Sequence, residues 1–111
     1  MKISEQENYV ILEDDRNDIK DFSSYLEYII PKKNKGQNVI VDLLKYEDLT
    51  LNQLLLFMDV SNTHMSENQS FVIVNNAISP DELPDELSVV PTLIEAEDLI
   101  EMENIERELG F

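Results

Sequence analysis

The amino-acid sequence predicts an α/β domain: a four- to five-stranded, mostly parallel sheet with an antiparallel N-terminal edge hairpin, about three main helices and one short one. Three observations carry that expectation. Val39, Ile40, Val41, Leu43 and Leu44 form an almost unbroken aliphatic run, which suits a strand covered on both faces and therefore central in its sheet. Runs of this kind alternate with segments whose apolar residues recur at three and four, and such alternation implies parallel pairings with right-handed crossovers. A length of 111 residues fits one domain over 1–111; a chain of that size buries roughly two-thirds of its unfolded surface, so one core can hold it.

In chain order, residues 2–13 (KISEQENYVILE) place Ile3 and the run Tyr9 to Leu12 around a polar QEN break, a terminal hairpin or one bent strand. From Asp14 to Ile30 the period changes: Ile19, Phe22, Leu26, Ile29 and Ile30 mark a helix with one face on a sheet, and Pro31 is expected to end it before the basic loop KKNKG. After the central strand, Tyr46 to Leu49 turns the chain and Thr50 opens a long helix. Thr50 and Gln53 form a T-x-x-Q capping box, and Leu49 with Leu54 stand where a hydrophobic staple would. Leu51, Leu54, Leu55 and Met58 make one stripe of that helix, but Leu56, Phe57 and Val60 widen it beyond the arc a sheet face covers. The surplus belongs either to a wider core or to an interface.

Ser70 to Asn76 reads as a second buried strand. Ser79-Pro80-Asp81-Glu82 has a cap, a proline at the first helical position and a capping-box glutamate, and Pro84 limits that helix to about one turn. Leu87 to Val90 is a last strand. Thr92, with Glu95 as box partner, caps the final helix, whose drifting stripe Leu93, Ala96, Leu99, Ile100, Met102 and Ile105 runs toward Gly110.

Charge narrows the functions. Residues 1–45 carry nine acids and seven bases, whereas residues 46–111 carry fifteen acids and only Arg107. That field repels phosphate backbones and anionic lipid, so no direct nucleic-acid or membrane binding is expected; it either steers a partner with a basic surface or only keeps the protein in solution. The chain contains no cysteine, which fits a reducing compartment, and Lys2 is followed by ISEQEN rather than an apolar run, so a cytoplasmic location is expected.

Chemical motifs are scarce. One histidine, His64, has no cysteine or second histidine with which to share a metal. The acidic run Glu13 to Asp18 lacks the glycine and terminal glutamate of a calcium loop, and reads better as a helix N-terminus. Gly36 and Gly110 cannot build a phosphate cradle, and no G-x-S-x-G turn is present. Carboxylate pairs such as Glu97 and Glu101 are expected by chance among 24 acids. No catalytic residue, cofactor or metal is expected.

Several strings resemble the STAS domain family, named for sulfate transporters and anti-sigma-factor antagonists. VIVDLL is similar to its central strand, SFVIVNNAISPD to the next strand and the start of a short helix, and SVVPTLIEAEDLI to its closing strand, turn and helix. In the antagonists an Asp-Ser-Ser-Gly string at the mouth of the long helix presents a serine to a partner kinase. The resemblance puts Thr50, Leu51, Asn52 and Gln53 at those positions, so the phosphoacceptor is missing and the corner is left as a docking surface. The strings SFVIVN, LPDE, VPT and IERELGF also resemble short bacterial proteins that carry the name ribonuclease Z, but the H-x-H-x-D-H motif of that nuclease is absent.

The resulting expectation is a non-enzymatic, STAS-like interaction or regulatory module that docks a protein partner through Thr50, Leu51, Asn52, Gln53 and Phe57, with homodimerisation a further possibility. The alternative is an acidic inhibitor or accessory subunit of a ribonuclease.

Overall fold

The computed structural model describes residues 1–110. Strands β1 (Lys2–Glu5), β2 (Val10–Glu13), β3 (Val39–Asp42), β4 (Phe71–Val74) and β5 (Ser88–Val90) form one sheet in that order, and the helices are α1 (Ile19–Lys33), α2 (Leu51–Leu54), α3 (Met58–Ser66) and α4 (Leu93–Glu108). β1 and β2 pair antiparallel as a hairpin closed by the Gln6 amide on the Tyr9 carbonyl at 2.9 Å, and all later pairings are parallel. β3 lies at the centre, as its apolar run requires.

Each crossover from β2 through β4 advances by one strand in the same direction, and a constant hand then leaves both connections on one face. Alternation along the strands gives that face Val10, Val39 and Phe71 in one row and Leu12, Val41, Ile73 and Val89 in the next. Phe22, Leu26 and Ile30 of α1 pack on it together with Leu54, Phe57 and Val60. The opposite face, built on Ile40, Val72 and Val74, is covered by Ala96 and Ile100 of α4. Two layers of helix therefore enclose the sheet, thick on the first face and thin on the second.

Three local expectations change. Helix α1 continues through Pro31 to Lys33. Proline forfeits its own amide bond to the carbonyl of Glu27; both residues are exposed, so water can reach that carbonyl, and the Asn34 amide on the Ile30 carbonyl at 2.9 Å closes the helix. The long helix from Thr50 is divided by a 3₁₀ turn at Leu55–Phe57. Tightening to three residues per turn brings Leu54, Phe57 and Val60 onto one buried line, so much of the surplus stripe belongs to a wider core. Ser79 makes no side-chain cap, and Pro80–Glu82 is a single 3₁₀ turn because Leu83 already returns to extended backbone.

Candidate functional site

Open α/β sheets bind ligands beyond the carboxyl ends of their parallel strands. Here that edge carries the loops after β2, β3 and β4, and hydrogen bonds tie them to one another. The buried Asp14 carboxylate accepts the amides of Arg16 at 2.9 Å and Asp18 at 3.1 Å, and also the Tyr46 hydroxyl, while Lys45 donates to the Asp14 carbonyl. The buried Asn75 amide donates to the carbonyls of Leu43 at 2.8 Å and Tyr46 at 3.0 Å, and its Oδ1 accepts from Ala77 at 2.9 Å.

Electrostatics follow this geometry. Burial pulls the Asp14 carboxyl upward, but the Tyr46 hydroxyl, the two amides and nearby Lys45 outweigh it and hold its pKa below the ordinary aspartate value. Burial and donation to that carboxylate raise the Tyr46 phenol, so it remains a donor at neutral pH. His64 stands at the other edge, where Nε2 donates to the Gln37 carbonyl at 2.6 Å, away from Asp14.

Thr50 to Gln53 lies just beyond this knot. The Gln53 amide donates to Thr50 Oγ1 at 3.2 Å, the Thr50 amide donates to Gln53 Oε1 at 3.0 Å, and the capping box is complete. Leu49 and Leu54 are buried in one cluster, as a staple requires. Thr50 and Asn52 are exposed, Gln53 is half-buried, and Leu51 and Leu55 leave 38% and 41% of their surface in solvent one helical turn apart.

Phe57 does not belong to this corner. Its side chain is fully buried, edge-on to Phe22 with ring centroids 6.2 Å apart, because the 3₁₀ turn rotates it into the first-face core. Leu56 is half-buried and Val60 buried, so the exposed apolar residue that takes the place of Phe57 is Leu55.

Other concentrations of charge have structural duties. A hollow of about 520 Å³ between β1 and α1 adjoins the knot, since Asp14 and Arg16 line it together with Asp15, Asp18, Phe22 and Tyr25. Asp15 pairs with the N-terminal amine at 2.7 Å, the hydrogen bond that chiefly lowers its pKa, and Asp18 caps α1 by accepting the Asp21 amide at 3.1 Å. Among the described residues no group of three or more possible ligands is placed to hold a metal ion, and no helix is long and apolar enough to cross a membrane.

A polar latch at the opposite edge was invisible in the sequence. Arg107 donates to Asn38 Oδ1 at 3.2 Å, Ser70 Oγ at 3.1 Å and Asn104 Oδ1 at 2.5 Å; Asn38 also accepts the Ser70 amide at 2.8 Å and donates to the Asn8 carbonyl at 3.0 Å. Ser70 donates to Glu103. The available signal was a single base in a long acidic stretch, which reads as a cation held for a specific duty.

No protein-family model matches the sequence, and no curated protein matches it either. The chain is similar in structure to a solved one, the NMR structure of the protein TM1081, with a TM-score of 0.65 and 18% identity over 89% of this chain and 86% of that one. At that identity the likeness establishes the α/β fold with its mixed five-stranded sheet, and nothing about activity.

Proposed function

We propose that this chain is a STAS-like, non-enzymatic module that binds a protein partner through the corner formed by Thr50, Leu51, Asn52 and Gln53, extended by Leu55. One observation carries the reading. The loops after β2, β3 and β4 are bound to one another by Asp14, Tyr46 and Asn75, and beside them a rigidly capped helix start presents two exposed leucines. The corner lacks the serine that the resembling antagonists phosphorylate, so binding here is constitutive rather than switched at that position. Affinity capture from the native cell with the wild type and Leu51→Asp tests this. A protein retained by the wild type and lost by the variant supports the corner; the same proteins retained by both overturn it.

The second reading, an acidic inhibitor or accessory subunit of a ribonuclease, draws support from α4, where Glu95, Asp98, Glu101, Glu106 and Glu108 are exposed with no salt bridge among the described residues. Precursor-RNA cleavage by the ribonuclease of the same cell, unchanged by a large excess of this chain, would remove it.

A further inference from the structure

Helix α4 has two apolar lines, and only one is used by the fold. Leu93, Ala96 and Ile100 turn toward the sheet, and the same inward line continues as the polar latch of Glu103, Asn104 and Arg107. On the outward side Met102, Ile105 and Leu109, the last at the helix C-cap, leave 56%, 49% and 65% of their surface in solvent. Their spacings of three and four are those of the a and d positions of a heptad.

Counting α4 on that register puts Glu101 and Glu108 at g and Glu106 at e, so the seam is flanked on both sides by exposed carboxylates. Arg107 falls at f, on the far side, where its guanidinium is held by Asn38, Ser70 and Asn104. It is the only base between residues 46 and 111, so no cation of α4 is available to soften the acidic rim.

We propose that the outward seam of α4 is a docking surface for a basic amphipathic helix of a partner protein, which would place apolar residues on Met102, Ile105 and Leu109 and Lys or Arg against Glu101, Glu106 and Glu108. Charge decides the occupant. A second copy of the same seam would set glutamate against glutamate along both edges, which e and g charges use to forbid pairing, and an anionic surface is repelled in the same way. A basic helix satisfies both the apolar line and its rim. The seam covers little more than one heptad, so the contact belongs with small, transient interfaces burying under about 1,200 Å² in total. It lies on a different element from the Thr50 corner and stands or falls independently of it.

The probe is a synthetic helix with leucine at a and d and lysine at e and g, followed by fluorescence anisotropy; the control has glutamate at e and g. The intact chain is expected to bind the lysine helix and not the glutamate one, and to lose at least about tenfold in affinity when salt rises from about 0.01 M to about 1 M, which shortens the Debye length from about 30 Å to about 3 Å. Ile105→Asp, at an exposed position that leaves the fold intact by circular dichroism, is expected to weaken binding at least about tenfold as well, while Leu51→Asp leaves it unchanged. Three results would each overturn the proposal: no binding of the lysine helix, equal binding by Ile105→Asp, or a dimer of the chain itself that Ile105→Asp dissociates.

Discussion

The two faces of the sheet are held by different physics. On the first, Val10, Val39, Phe71, Leu12, Val41 and Ile73 lie under α1 and the broken α2–α3 segment, and the contact is nearly all hydrocarbon. On the second, a small patch around Ile40, Val72 and Val74 meets Ala96 and Ile100 of one helix, and the rest of α4 is fixed by hydrogen bonds from Arg107 to Asn38 and Ser70, from Asn38 to Asn104 and from Ser70 to Glu103. Tyr9 adds one more bond, to Glu97 at 2.7 Å, and burial together with that acceptor pushes its phenol up to about 12. The first face sets the stability of the domain; the second positions α4 at lower cost and leaves it easier to release.

The largest effect should come from emptying the first core. Phe57→Ala removes a fully buried ring that packs on Phe22, and a cost of about 3–5 kcal/mol is expected from urea unfolding. Ile100→Ala, on the second face, should fall near the low end of about 2–5 kcal/mol, since fewer neighbours lose contact with it. If Ile100→Ala proved the more damaging of the two, the division of labour between the faces would be wrong.

Cutting the latch is the next test. Arg107→Met removes three donated hydrogen bonds while keeping an aliphatic stem, and a loss of about 1–2 kcal/mol is expected. The distinguishing measurement is hydrogen exchange. Amides of α4 should exchange faster while those of β3 and β4 keep their protection, whereas uniform acceleration would show that the latch supports the whole fold.

How much of this was legible follows from the range of each interaction. The central strand announced itself through its almost unbroken aliphatic run, and the Thr50 and Thr92 caps through residues three apart; Thr50 and Gln53 complete their box, whereas at Thr92 only the Glu95 amide bonds, to Thr92 Oγ1 at 3.1 Å, and the expected return bond from the Glu95 side chain does not form. The latch joins residues 32 to 69 positions apart, and nothing in a local pattern marks Asn38, Ser70 and Arg107 as neighbours. Phe57 was misplaced for a related reason. Its position on a helix of 3.6 residues per turn differs from that on a 3₁₀ turn, and the switch of period is set by the core it enters.

The first face holds one buried titratable group that breaks its apolar character. His64 stacks edge-on with Phe71 at 6.3 Å, and burial lowers its pKa despite the opposing effects of the Gln37 carbonyl and Glu67. Because the folded value lies below the ordinary one of about 6.5, the unfolded chain takes up the proton first. The contribution of His64 is therefore complete above about pH 6.5 and is lost as pH falls from there toward the folded pKa. A urea midpoint that declines from about pH 7.5 to about pH 5.5 in the wild type and stays flat in His64→Gln is the expected outcome, and parallel declines would assign the effect to carboxylates.

The smallest effect belongs to the corner itself. Thr50→Ala removes the acceptor of the Gln53 amide and opens half of the capping box, at an expected cost of about 1 kcal/mol. Thr50→Asp restores an acceptor at the same position, and its negative charge suits a helix start, so its stability should return to within a few tenths of a kcal/mol of the wild type. The pair separates two roles that one residue could combine. If the corner docks its partner through Leu51 and Leu55, with Thr50 only holding the helix start in place, Thr50→Asp should recover partner binding along with stability. If the hydroxyl itself contacts the partner, stability should return while binding does not, and the docking surface would then extend across the cap.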